Sequence, residues 1–321
     1  MEYLPWVEKY RPQKIDGIIS HDQNIETIKK MLAGGSLPHL LFHGTPGTGK
    51  TSLILAIANE LYGTSKNLMV MKLDASDDRG INSVREEIKG FAEKVNMFNK
   101  GVKLIILDEA DSMTFDAQFA LRRIIEKYSK TTRFCLICNY ENKIIPAIRS
   151  RCANFRFSPI NVYHIQRKLE YICEQEKLTF DKNVMEIISS LSRGDLRKSI
   201  NFLQSLSLQS SHITVQMCYK TAGVPSDNEV IDIISNLLDP MIDYNEANKK
   251  IDSLIKVQGY SLSIVLKELV SYLLSNKMVK LKPERLAIYL SEMSDLENRV
   301  TKSTFGDIYM SGLVGIFKKY E

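Results

Sequence analysis

The chain contains no apolar run approaching the roughly 20 residues that a membrane-spanning helix needs. Its opening stretch, MEYLPWVEKYRP, is interrupted by charges and followed by no apolar core, which speaks against a secretory leader. Cysteine is sparse and odd in number: Cys135, Cys138, Cys152, Cys173 and Cys218 make five, which argues against a disulfide framework and fits a reducing compartment. Cys135 and Cys138 form a CxxC inside the apolar run FCLIC with no second ligand pair. They are expected to be buried strand residues rather than metal ligands or a redox couple. Neither repeats nor low-complexity segments occur. Charge of one sign barely dominates: 43 Lys and Arg against 38 Asp and Glu leave +5, which permits contact with phosphate backbones without demanding it.

What is present is an ordinary soluble mix, 44% hydrophobic and 25% charged, in 321 residues, enough for two or three domains. The first half alternates apolar strands with helical patterns. Strands are expected at 39–44, 67–76, 103–111, 133–139 and 154–160, and helices at 51–63, 81–95 and 117–129, the first of them ended by Gly63. That alternation predicts an α/β fold with a parallel sheet covered on both faces. After Pro159 helical periodicity takes over, and Pro225 marks a second break. Three pieces are therefore expected: an α/β nucleotide-binding domain over 1–158, a small helical lid over 159–224 and an all-α domain over 225–321.

GTPGTGKT (44–51) satisfies GxxxxGK[ST]. Its glycines let the backbone wrap phosphate oxygens at the start of the next helix. Lys50 brings a point charge to the β and γ phosphates, and Thr51 offers a hydroxyl to Mg²⁺. LIILDEAD (104–111) supplies the second half: Asp108 to hold the metal through water, Glu109 to orient an attacking water. An intact glutamate there argues for hydrolysis rather than mere binding. Asn139, closing the strand FCLIC, is expected beside the strand of Asp108, within reach of a γ-phosphate, although an Asn there is also a common turn former. Arg149 and Arg151 follow on a short helix; one is a candidate arginine finger, and a surface ion pair is the competing reading for each. Arg197 and Lys198 stand early in a later helix, where a guanidinium could report a γ-phosphate from a mobile lid.

Taken together, LPWVEKYRP (4–12), HLLFHGTPGTGKT (39–51), LDASDDRGI (73–81), LIILDEAD (104–111), ALRRIIEKY (120–128), TRFCLICNYENKIIPAIRSRC (132–152) and GDLRKSIN (194–201) resemble a small subunit of replication factor C. That is the eukaryotic sliding-clamp loader of the AAA+ class. FCLICNY and KIIPAIRSRC narrow the likeness to one paralogue among those subunits. The resemblance implies a RecA-like AAA+ domain, a lid and a C-terminal collar through which subunits oligomerise. It implies that Gly44, Thr45, Pro46, Gly47, Thr48, Gly49, Lys50, Thr51 and Ser52 bind ATP phosphates, with Thr51 and Asp108 serving Mg²⁺ and Glu109 the water. Asn139 resembles sensor 1 and Arg197 sensor 2. Arg151 of SRC resembles a finger that enters the neighbouring subunit's site in trans, and Tyr10 and Arg11 lie in a segment that closes over adenine and ribose. Thr45 departs from the proline of many relatives, with little effect expected on the phosphate-facing backbone.

The same resemblance implies a nuclear hetero-pentamer that opens a ring-shaped clamp and loads it onto primer–template DNA for replication and repair. DNA contact should then be sequence-independent, through phosphates; Arg79, Arg85 and Lys89 are candidates, each as readily an ordinary solvated charge. Met97 and Phe98 in KVNMFNKG are candidate apolar anchors for the clamp, or a helix-capping core pair. Two alternatives remain at this level: another AAA+ DNA-remodelling ATPase, and a structural subunit that binds nucleotide with little turnover of its own. PWVEKYRP and SRC argue against the first, Lys50 and Glu109 against the second.

Overall fold

A computed structural model describes residues 4–76, 81–94, 101–275, 281–303 and 307–319, without the side chains of 81–85 and 307–308. It divides into two compact units, one of residues 1–179 with 185–211, the other of 180–184 with 212–321.

The first unit opens with α1 (Trp6–Lys9) and α2 (Asp22–Ala33), then β1 (His39–Gly44), α3 (Lys50–Tyr62), α4 (Lys66–Met69), β2 (Val70–Asp74) and α5 (Ile81–Glu93). It continues through β3 (Lys103–Asp108), α6 (Phe115–Tyr128), β4 (Thr132–Cys138), α7 (Pro146–Arg149) and β5 (Cys152–Phe157). Then come α8 (Val162–Glu176), α9 (Val184–Ser192, all but its first residue in this unit) and α10 (Leu196–Ser207). The five strands form one parallel sheet in the order β2-β3-β4-β1-β5.

Continuous apolar runs such as LIIL in β3 and FCLIC in β4 cannot present a polar face, so both faces of these strands are buried. On one face Leu40, Phe42, Leu104 and Ile106 pack with Leu53, Ile54 and Ile57 of α3. On the other, Leu41, Ile105, Leu107, Phe134 and Leu136 pack with Leu121, Ile124 and Ile125 of α6. Cys135 and Cys138 sit buried in these layers, as the sequence predicts.

Local chemistry sets the helix ends. Gly63, at φ 48°, ends α3, and the side chains of Thr114, Asn161 and Asp195 cap the starts of α6, α8 and α10. The expected strand over 67–76 is shorter than anticipated. Lys66–Met69 turns as a helix with Met69 buried, and only Val70–Asp74 joins the sheet.

The second unit holds α11 (Val215–Ala222), α12 (Asp227–Leu238), α13 (Tyr244–Gln258), α14 (Leu262–Ser275), α15 (Pro283–Lys302) and α16 (Asp307–Lys318). Its own core draws Ile233, Leu237, Ile251, Leu269, Met293 and Leu313 from five of these helices. Tyr289 of α15 stacks on Phe317 of α16 at 4.5 Å between ring centroids. Ser226 and Glu229 form a reciprocal capping box at the start of α12. No helix among the described residues is long and apolar enough to cross a membrane.

Candidate nucleotide site

The carboxyl ends of β1, β3 and β4 meet because β1 and β3 flank β4 in the sheet. Ligands of open parallel sheets settle at such an edge. Here it forms a cleft of about 150 Å³ lined by residues of the first unit.

The loop from Gly44 to Gly49 wraps its floor, with Gly44, Gly47 and Gly49 at positive φ. Two of these glycines are demanded by close approach. A β-carbon on Gly44 would lie 1.9 Å from the Phe157 carbonyl oxygen, and one on Gly47 1.7 Å from Asp195 Oδ1. Leu196 N donates to the Gly47 carbonyl at 3.1 Å, so the start of α10 rests directly on the loop.

Lys50 is buried and folds back over the loop, donating to the carbonyls of Gly44 at 2.7 Å and Thr45 at 2.8 Å and to Asn139 Oδ1 at 3.2 Å. Burial pulls its ammonium below the ordinary lysine pKa, against the opposing pull of Cys138, Asp108 and Asp111. A glycine-rich loop with this geometry at a helix start is suited to oxyanions such as phosphate. Thr45 itself is exposed, so its side chain leaves the floor unaltered.

Thr51 Oγ1 donates to Asp108 Oδ2 at 3.2 Å. A hydroxyl and a carboxylate held together make a hard-oxygen donor pair that suits Mg²⁺ completed by phosphate oxygens and water. No cluster of three acidic, histidine or cysteine ligands occurs among the described residues, so nothing here competes as an all-protein metal cage. Glu109 follows in the left-handed region at φ 53°, exposed at the rim of the cleft. A non-glycine residue in that conformation marks a position where the fold imposes direction on the chain.

Asn139 reaches the cleft as expected, and its backbone is fixed by Asp111, whose Oδ2 accepts from Asn139 N at 3.2 Å and Tyr140 N at 3.1 Å. The segment beyond is pinned by buried Gln118: Nε2 donates to the carbonyls of Met113 and Lys143, and Oε1 accepts from Ile145 N at 2.9 Å. Sequence reading missed both. Asp111 was visible as the last acid of DEAD, whereas Gln118 is indistinguishable from a surface glutamine until the fold buries it.

Tyr10, Arg11, Ser52 and Arg197 all line the cleft. The N-terminal segment forms one wall and is fastened to the lid helices. Trp6 N donates to Gln204 Oε1 at 3.1 Å, and Glu176 accepts from both Lys9 and Tyr10. Burial and the Glu176 carboxylate push the Tyr10 phenol far up, so it stays a donor. Val7, Ile18, Ile19, Ile160 and Ile200 give this end an apolar lining fit for a planar base. Lys168 of α8 also enters, half-buried and with its pKa pulled down by burial; no motif in the sequence marks it.

Arg151 stands outside the cleft. Its guanidinium pairs with Glu126 of α6 at 2.6 Å and donates to the Ala147 carbonyl at 2.6 Å. Arg149 instead pairs with Glu141 at 3.1 Å. Of the remaining candidates, Lys89 is described on α5, 4.0 Å from Glu86. The side chain of Arg85 and the residues Arg79, Met97 and Phe98 lie outside what the structure describes.

Three family models match in order along the chain: the AAA family of ATPases associated with various cellular activities over 40–160, an RCF1/5-like AAA+ ATPase lid domain over 167–208, and the replication factor C C-terminal domain over 225–315. A probable replication factor C subunit 5 of Dictyostelium discoideum is 46% identical over 99% of this chain and 91% of its own length. Human replication factor C subunit 5 is 43% identical over 98% and 92%, and replication factor C subunit 3 of Saccharomyces cerevisiae 39% identical over 99% and 94%. Among solved structures, a mutant RuvB of Thermotoga maritima superposes with a TM-score of 0.55 at 15% identity, over 76% of this chain and 86% of that one, a likeness of fold alone. The chain therefore belongs to the replication factor C family, as a nucleotide-binding AAA+ ATPase that serves DNA replication as one subunit of a larger assembly.

Proposed function

We propose that this chain binds ATP with Mg²⁺ in the cleft and, inside a nuclear hetero-pentamer, uses it to open a sliding clamp and place it on primer–template DNA. The observation that carries this reading is the convergence of Lys50, Thr51, Asp108 and Asn139 at one sheet edge while Arg151 stays outside it. A site holding every phosphate-facing group except a finger is complete only beside a neighbour. Arg151, just past α7 and paired with Glu126 of α6, is the group that would complete the adjoining subunit's site.

Lys50 and the loop N–H groups would hold the phosphates, Thr51 and Asp108 the metal, and Asn139 the γ end. Bound Mg²⁺ supplies neutralisation of charge on the β and γ phosphates. Glu109 would hold and polarise the water. The base would lie between Ile18, Ile19 and Ile200 beneath the strap of residues 4–12. ATP then acts as glue between subunits, since contacts from two chains favour one assembled state and hydrolysis removes them. Contacts to DNA through Arg79, Arg85 and Lys89 and to the clamp through Met97 and Phe98 belong to the same proposal.

The test is Glu109→Gln in the assembled complex. Nucleotide binding should persist while turnover at this site falls by about 10²-fold or more. Unchanged turnover would instead make the chain a structural subunit that lends Arg151 to its neighbour.

A further inference from the structure

Lys72 lies in the edge strand β2, two residues before its end. In the parallel register Lys72 pairs with Ile106 and Asp74 with Asp108. Side chains alternate along a strand, so these four share the sheet face that α3 covers. Asp74 is occupied by its own turn, where Oδ1 accepts from Ser76 N at 3.0 Å and Ser76 Oγ at 2.7 Å. Lys72 reaches across to β3 instead. Its Nζ stands 3.5 Å from Asp108 Oδ2, the same oxygen that accepts from Thr51 Oγ1 at 3.2 Å. Lys72 is not among the residues lining the cleft, so its ammonium meets this oxygen from outside the phosphate-binding space.

One carboxylate oxygen thus faces a hydroxyl from the loop side and a cation from the strand side. Resting on the reading of the cleft as an ATP–Mg²⁺ site, we infer that Lys72 competes with the divalent cation for Asp108 and so sets how much metal the site needs to hold nucleotide. Without metal, the ammonium neutralises Asp108. When metal engages Asp108, Lys72 must yield Oδ2, and what remains of its charge nearby repels the incoming cation. Both effects weaken metal binding. Because 45% of the lysine side chain is exposed, solvent screens the pair and the effect is one of tuning, not of presence or absence.

The experiment uses the full-length chain with Mn²⁺ as the probe and a non-hydrolysable ATP analogue, following bound Mn²⁺ by electron paramagnetic resonance. Lys72→Met should lower the half-saturating Mn²⁺ by about two- to fivefold, Lys72→Arg should stay near the parent value, and analogue affinity in chelator should be the same for all three. A half-saturating concentration that is unchanged or raised in Lys72→Met overturns the inference. So does a loss of analogue affinity in chelator, which would make Lys72 a phosphate contact. Asp108→Asn is the control for the site itself: if it leaves the Mn²⁺ response untouched, the metal assignment fails rather than the role of Lys72. Circular dichroism confirms folding, since Lys72 sits half-exposed on an edge strand and its loss opens no cavity.

Discussion

Gly47 and Asp195 come together so closely that a single added β-carbon would fall 1.7 Å from the aspartate's Oδ1. The phosphate loop and the lid helix α10 are thereby in direct contact, reinforced by the bond from Leu196 N to the Gly47 carbonyl. Gly47→Ala should therefore do two things at once. The left-handed φ of +69° costs about 1–2 kcal/mol for alanine, lowering Tm by about 3–6 °C. The displaced helix start should weaken nucleotide binding at least about tenfold. Calorimetric titration together with a thermal melt checks both, and an alanine variant that binds as the parent does would mean that α10 swings clear without cost.

Arg151 and Glu126 make a second informative pair. Since Arg151 touches the α6 carboxylate and not this chain's own cleft, Arg151→Ala should leave nucleotide affinity here nearly intact. Hydrolysis at the adjacent subunit should drop by about 10³-fold. Single-turnover assays on complexes in which only one site is competent would separate the two. A defect confined to this chain's own site would reverse the direction of the proposal.

His39 is expected to shape stability in mild acid. Burial, helped by nearby Arg133, pushes its imidazole down from 6.5 to about 4, while its Nδ1 accepts from Phe134 N at 3.2 Å and so must be unprotonated. The unfolded chain takes up the proton near pH 6.5 and the folded one only near 4. The stabilisation is therefore full above about 6.5 and is lost as pH falls toward 4. His39→Asn keeps an acceptor without the titration, so the melting temperatures of the two proteins should diverge less as pH is lowered from 7 to 4.5. Parallel loss in both would assign the acid sensitivity elsewhere.

The thiols should be inert in the native state. Burial pushes Cys138, Cys152 and Cys173 up to about 12 and Cys218 up to about 11, and raises Cys135 well above the ordinary thiol value. A colorimetric thiol reagent at pH 8 should titrate fewer than one group in minutes on the folded chain and all five after denaturation. Prompt reaction at Cys135 or Cys138 would contradict the reading of the CxxC as strand interior.

The phosphate loop and the acids at the end of β3 were legible because each is a short motif whose geometry is fixed within a few residues of itself, and Asn139 because it is a polar residue closing an apolar strand. So was the parallel sheet, since a continuous run such as LIIL can be buried on both faces only there. What stayed hidden depends on contacts between distant segments. Lys168 and Gln118 look like surface residues in their own helices, and only the packing of α8 and α6 turns them inward. The helical turn at Lys66–Met69 escaped because four residues carry no period.

The wall of the cleft built by residues 4–12 has a kinetic corollary. Its links to Gln204 and Glu176 fasten that wall to two lid helices, α10 and α8. On the proposed seating of the base, product exchange is then expected to be a segmental event, with strap and lid parting together. Residence time of spent nucleotide should thus track how firmly the bonds from Trp6, Lys9 and Tyr10 to the lid helices hold.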